Sequence, residues 1–141
     1  MLKIPTDELM EKLLKANNIS DYVKENEDYF IDLTIMEFLN EYVKTKKLTK
    51  AKIIKDAQIN EIYGYQIFSG SRTPSRNKLI ALCIAMEMSV DEVQLALKTA
   101  GFAPLYPKSK WDSIVIRGIA DKSDILKINN TLYENGEKTF D

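Results

Sequence analysis

Residues 48–75 read LTKAKIIKDAQINEIYGYQIFSGSRTPS: two short amphipathic segments joined by a tight polar junction and closed by Gly70 and Pro74. Thr49 can cap a helix whose apolar positions are Ile53, Ile54 and Ala57. Asn60 can cap a second helix that ends at Gly70, where a positive φ is most readily adopted. This is the outline of a helix-turn-helix, and two helices separated by about three residues suit the reading of a DNA groove.

Charge is distributed in keeping with that outline, although the formal net charge is only −1. Residues 1–43 hold 4 basic and 10 acidic side chains, residues 44–78 hold 9 and 2, and residues 79–141 hold 7 and 9, giving nets of −6, +7 and −2. Lys44, Lys46, Lys47, Lys50, Lys52, Lys55, Arg72, Arg76 and Lys78 therefore gather on the helix-turn-helix and its edges. Such a cluster fits an electrostatic footprint on phosphate. The competing reading is a solvated lysine face.

With 141 residues and 45% hydrophobic content, the chain can bury one good core. No apolar stretch approaches the roughly 18 residues of a membrane span. The N-terminus, MLKIPTDELMEKLL, is amphipathic and acidic where a signal peptide would be basic and then apolar. The expectation is a cytoplasmic protein that does not engage a membrane. Cys83, the single cysteine, lies in LIALCIAM, so it can form no intramolecular disulfide and is expected in an apolar environment.

The remaining segments read as helices. Thr6 can cap a first helix through about Ala16, and the acidic, aromatic stretch DYVKENEDYFIDL is the least legible part of the chain. Thr34 with Glu37 makes a capping box before Ile35, Phe38, Leu39, Tyr42 and Val43, which follow the spacing of a one-faced helix. Ser75 can cap a helix that is apolar nearly all round, holding Leu79, Ile80, Leu82, Cys83, Ile84 and Met86, and this helix is expected at the centre of the core. Ser89 with Glu92 makes a second capping box ahead of Val93, Ala96, Leu97 and Ala100, and Gly101 ends that helix. Pro104 and Pro107 impose an extended connector. One further helix holds Trp111, Ile114, Val115 and Ile119. Another, capped by Ser123, holds Ile125, Ile128, Leu132 and Tyr133 before Gly136.

The stretch from Leu48 to Val93, about a third of the chain, resembles the lambda-repressor-like, or XRE-type, helix-turn-helix domain without a gap. Leu48-Thr49 is similar to the Leu-Ser that opens the second helix of that family, Ile53 to its core leucine, Ile59-Asn60 to the Val-Ser that opens the recognition helix, and Ile67 to its apolar anchor. Gly70, Arg72, Pro74 and Ser75 resemble the Gly-x-Arg-x-Pro-Ser exit, and Leu79 to Met86 the helix that follows. Met88-Ser89-Val90-Asp91-Glu92 resembles the start of the fifth helix. The whole chain also resembles a group of bacterial XRE-type proteins with a YGYQIFSG-like recognition segment and a Gly-x-x-x-Leu-Tyr-Pro connector. Four positions depart from the family pattern: Ile54 replaces a small alanine, Gln58 a glycine, Gly64 an apolar residue and Phe68 a polar one. Because glycine inside a helix costs about 1 kcal/mol relative to alanine, Tyr63 and Tyr65 are expected to pack over the gap at Gly64, or else the helix deforms there.

The resemblance implies an all-α fold: a lambda-repressor-like five-helix DNA-binding domain over residues 34–101, an acidic helical N-terminal extension over 1–33, and a C-terminal helical extension over 102–141 packed on the core. It implies a transcriptional regulator that binds specific sequences in double-stranded DNA through a recognition helix at residues 60–69. Base-facing positions would be Glu61, Ile62 and Gln66, with Asn60 at the cap; glutamine can pair with adenine, glutamate can accept from the cytosine amino group, and isoleucine can touch a thymine methyl. Each has a competing role: Glu61 in complementing the helix dipole, Ile62 in the core and Gln66 as a solvated side chain. Phosphate contacts would fall to Lys50, Ser71, Arg72 and Arg76. Tyr63 and Tyr65 can bond phosphate through their hydroxyls or serve in aromatic packing. From Asn60 to Ser69 there is no lysine or arginine. The alternative function is therefore a protein-interaction adaptor whose YGYQIF surface engages a protein instead of bases; a homodimer is a further partner to consider.

No enzyme constellation is expected. The chain has no histidine, one cysteine cannot make a zinc site, and the acidic clusters Glu25, Glu27, Asp28 and Asp121, Asp124 lack calcium-loop spacing. Neither a cofactor nor a metal is implied, since no phosphate-cradling glycine loop is present.

Overall fold

The computed structural model describes residues 6–26 and 34–141. They fall in two compact units, Met1–Asp32 and Leu33–Asp141. All regular structure among the described residues is α-helical, and none of these helices is long and apolar enough to cross a membrane.

In the first unit, α1 spans Thr6–Lys15 and α2 spans Ile19–Glu25. Thr6 is the first described residue of α1. The second helix lies where the sequence pattern was weakest, and its start signal is Asn18, whose side chain accepts from the Asp21 N–H at 3.2 Å. In this unit Tyr22 is buried and Leu9 half-buried. The Tyr22 hydroxyl donates to the Leu9 carbonyl at 3.4 Å, tying α2 to α1. Leu13 and Leu14 instead stand exposed, Leu14 at 77%. Phe30, Glu27 and Asp28 lie outside the described residues.

The second unit begins at Thr34, whose side chain accepts from the Glu37 N–H while the Glu37 carboxylate accepts from the Thr34 N–H. This reciprocal cap starts α3 (Ile35–Lys46). There follow α4 (Lys50–Asp56), α5 (Glu61–Ser69), α6 (Arg76–Ala85), α7 (Val90–Thr99), α8 (Lys110–Ala120) and α9 (Ile125–Glu134). Thr49 precedes α4 in extended geometry but its side chain makes no capping bond. Ser123 is not the cap of α9. Its N–H closes α8 by donating to the Gly118 carbonyl at 2.9 Å, so the chain turns one residue later and Asp124 accepts from the Lys127 N–H instead.

Helix α6 buries Leu79, Ile80, Ala81, Leu82, Cys83 and Ile84 in succession, which places it at the middle of the core. A helix apolar on every side can only be satisfied by neighbours on every side. The same cluster takes in Leu39 and Val43 of α3, Val93 and Leu97 of α7, and Val115, Ile119, Ile125, Ile128 and Leu132 from the last two helices. Residues 102–141 therefore share one core with residues 34–101. Tyr133, expected on the apolar face of α9, points away from it and is 79% exposed. The Cys83 thiol is fully enclosed, and burial pushes its pKa up to about 12, leaving it protonated and unreactive.

Helix α3 meets α7 through a polar contact at the edge of this core. The Tyr42 hydroxyl donates to Glu92 Oε1 at 3.4 Å, and the same carboxylate accepts from the Ser89 N–H at 2.8 Å. Burial, followed by the Glu92 charge, pushes the Tyr42 pKa up to about 12. The Ser89 backbone N–H, the largest cause, holds the Glu92 carboxyl below its ordinary range. A carboxylate whose folded pKa is depressed stabilises the fold above its ordinary pKa and loses that contribution as pH falls through the depressed value. Thermal melts from about pH 6 to about pH 3 should accordingly show the gap between the native protein and Glu92→Gln closing as acid is added. A gap independent of pH would mean that this carboxylate contributes nothing through its ionisation.

Candidate nucleic-acid interface

Helices α4 and α5 are joined by residues 57–60, in which Gln58 takes the left-handed conformation at φ 57°. That region favours glycine, so a side chain is accepted here where the resembled family has none. Asn60 caps α5, its side chain accepting from the Tyr63 N–H at 3.1 Å. Gly70 ends α5 at φ 86°.

The departures at Ile54 and Gly64 answer one another. A Cβ placed on Gly64 would lie 2.6 Å from Ile54 Cγ2, so the isoleucine of α4 occupies the notch that the glycine of α5 leaves open. Both residues are buried and α5 continues through Gly64 as regular helix. The expectation that Tyr63 and Tyr65 cover the gap is therefore corrected. Tyr63 is half-buried and Tyr65 is 41% exposed, and the filling group comes from the neighbouring helix.

With its back held by Ile54, α5 turns a defined face outward. Glu61, Ile62, Tyr65 and Ser69 are exposed and Gln66 half-buried, while Gly64, Ile67 and Phe68 are buried. Ile62 is 70% exposed, so it is not a core residue. At about 100° per residue, the outward stripe from Glu61 through Tyr65, Ser69 and Ile62 to Gln66 spans roughly 140° of the helix, with Phe68 and Tyr63 just beyond its two edges. A cation stands over each of those bordering rings. Lys50 Nζ is 5.5 Å from the centroid of Phe68, and the Arg72 guanidinium carbon is 5.4 Å from that of Tyr63. The stripe itself carries no cation, but it is flanked by one on either side.

Several other residues singled out in the sequence have defined partners. Ser71 Oγ is 3.1 Å from Ser69 Oγ and donates to the Gln66 carbonyl at 3.4 Å. That carbonyl also accepts from the Arg72 N–H at 3.2 Å, which ties the exit loop to α5. Lys52 pairs with Asp56 at 2.7 Å, and Lys78 donates to the Asp141 carbonyl at 2.9 Å. Lys46 lies 5.8 Å from the Tyr42 ring centroid, a placement the charge pattern did not specify.

Arg76 is engaged within the chain. Its guanidinium donates to the carbonyls of Ala103 and Pro104 at 3.0 and 3.2 Å, and to Asp112 Oδ2 at 3.1 Å. Asp112 is buried and also accepts from the Tyr106 N–H at 2.9 Å. From α7, Gln94 exchanges two hydrogen bonds with the backbone of Leu105 at 2.7 and 2.9 Å. Together these bonds fasten the proline-containing connector to the core. A signal for Arg76 was present in the sequence: a cation in the first turn of a helix opposes the dipole and calls for an outside anion. The identity of that anion depends on a contact 36 residues away.

A groove of about 600 Å³ opens between α4, the end of α6 and the α8–α9 junction, with Ile53, Met88 and Ile125 among its lining residues. No residue of α5 lines it. Two of the lysines beside it are engaged by the chain itself, Lys52 with Asp56 and Lys122 with the Glu87 carbonyl. Among the described residues no cluster of three acidic, cysteine or histidine side chains is arranged to hold a metal ion. The chain matches no protein-family model, no curated protein and no solved structure.

Two mutational outcomes follow from these contacts. Gly64→Ala should destabilise the protein despite gaining about 1 kcal/mol of helix propensity, because the added methyl overpacks against Ile54 at a cost of about 1–3 kcal/mol. Ile54→Ala should relieve that penalty, giving a coupling of at least about 1 kcal/mol in a denaturant double-mutant cycle; strictly additive losses would show that the two residues do not share the notch. Arg76→Ala should remove about 1–3 kcal/mol by leaving the Asp112 carboxylate without its charged partner. A loss no larger than that of an exposed arginine, about 0.5 kcal/mol or less, would show the ion pair to be incidental.

Proposed function

We propose that the chain is a transcriptional regulator that binds specific sequences in double-stranded DNA, with α5 as the recognition helix and α4 as the helix that seats it. In this reading α3 to α7 make up a lambda-repressor-like, XRE-type domain, and α8 and α9 are an extension sharing its core. One observation carries the proposal: the exposed stripe of α5, bordered on one edge by Lys50 and on the other by Arg72. A helix lying in a major groove needs that arrangement, since its outward side chains meet base edges while cations beside them meet the two phosphate backbones.

The surrounding charge supports the same reading. The segment 44–78 nets +7, and setting aside Lys52, Arg76 and Lys78 still leaves Lys44, Lys46, Lys47, Lys50, Lys55 and Arg72 against Glu61. Positioning contacts fall to Lys50, Arg72 and Ser71, and base contacts to Glu61, Ile62, Tyr65 and Gln66, with Asn60 presenting the N-terminus of the helix. A second reading draws on the same stripe. Ile62 and Tyr65 form an exposed apolar centre on a helix without cations, which suits a protein-interaction adaptor.

The test is binding of a random duplex pool by fluorescence anisotropy at several salt concentrations. The native protein should show a steep loss of affinity with salt. The double variant Lys50→Gln/Arg72→Gln should bind all sequences more weakly, with a salt slope flattened by up to about two units. Salt-independent binding would remove the phosphate assignment, and absence of duplex binding at low salt would favour the adaptor.

A further inference from the structure

The chemistry of the exposed stripe also restricts which bases it can select. Resting on the DNA-binding reading above, we infer that α5 reads an A·T-dominated half-site, with Ile62 and Tyr65 packing on thymine methyl groups and no side chain of α5 selecting guanine. Each base pair presents a distinct pattern of donors, acceptors and methyl groups in the major groove. Guanine offers two acceptors, N7 and O6, and the contact that selects it is a bidentate donor, arginine or lysine. Helix α5 has neither residue, and the cations that border it, Lys50 and Arg72, stand over the Phe68 and Tyr63 rings at the edges of the stripe.

Glu61 is an exposed carboxylate with no proton to give to guanine N7 or O6; it accepts from the amino group of adenine or cytosine, so its position alone in the stripe admits a G·C pair, read through the cytosine. Gln66, at the stripe's far edge, can pair with adenine through N6 and N7. At the centre, Ile62 is 70% and Tyr65 41% exposed, three residues apart on one face. The thymine methyl is the one apolar group that the major-groove edges display. Pressing Ile62 against a G·C pair would strip water from polar edges without replacing their hydrogen bonds, whereas pressing it against thymine buries apolar surface on both sides.

Selection of bound duplexes from a random pool by the full chain should therefore enrich a site whose pairs facing Ile62, Tyr65 and Gln66 are A·T. Each thymine of that site can then be replaced by deoxyuridine, which lacks only the methyl. Replacement at a thymine facing Ile62 or Tyr65 should weaken binding by the native protein about three- to fivefold, the worth of one buried methyl, and Ile62→Ala should lose its response to the replacement facing Ile62 while keeping its response to the one facing Tyr65. Because Ile62 is exposed, that variant should melt as the native protein does. A selected site with G·C pairs at the positions facing Ile62 and Tyr65, or affinity indifferent to deoxyuridine at every thymine, overturns the inference while leaving DNA binding intact. Failure to retain any duplex removes the DNA-binding reading, and the base assignment with it.

Discussion

The seating of Ile54 in the notch at Gly64 sets how α4 and α5 lie against each other, and the candidate interface depends on it. A side chain at 64 would hold the two helices apart by at least the width of a methyl group. With glycine there, Ile54 reaches the backbone of α5 and both residues are buried. The close approach supplies dispersion contacts that offset the poor helix propensity of glycine. It also fixes the rotation of α5, so that Gly64, Ile67 and Phe68 face inward and Glu61, Ile62 and Tyr65 face outward. Near the C-terminus the chain uses the same device: a Cβ on Gly118 of α8 would lie 2.5 Å from Ile128 Cγ1 of α9.

Around that pair, α6 acts as the shared wall of the core. Its run of six buried residues touches apolar groups from both ends of the second unit, which is why residues beyond Gly101 do not form a core of their own. Arg76 and Gln94 hold the intervening connector by hydrogen bonds to its backbone carbonyls and amide. A segment containing Pro104 and Pro107 cannot join a helix, and these side chains satisfy peptide groups that helical bonds would otherwise pair. The C-terminal tail is fixed in a similar way. Trp111 Nε1 donates to the Lys138 carbonyl at 2.8 Å, and the Trp111 and Phe140 rings meet at 5.3 Å between centroids.

Much of this arrangement was legible from residue spacing. The capping boxes at Thr34-Glu37 and Ser89-Glu92, the caps at Asn60 and Ser75, and the all-round apolar character of α6 are local features, and local backbone chemistry decides them. Misreadings arose where a long-range contact or a neighbouring turn competed with a local signal. Ser123 has the chemistry of a cap, but its backbone N–H is drawn into closing α8. Tyr133 fits the apolar periodicity of α9, yet Leu132 beside it already fills the core-facing position. Arg76 belongs to the basic run in sequence and to a partly buried ion pair in space.

By itself the sequence determined an all-helical chain, the position of nearly every helix in the second unit, and a concentration of positive charge around residues 44–78. These follow from capping chemistry, 3.6-residue periodicity and composition, none of which requires knowledge of distant contacts. Only the tertiary structure decided which cations remain near α5, which way Ile62 faces, and how a glycine can sit inside that helix. Each of those depends on what a second helix brings within a few ångströms: Asp112 for Arg76, the inward packing of Ile67 and Phe68 for Ile62, and Ile54 for Gly64. Spacing along a chain specifies the faces of a helix, and packing specifies what each face meets.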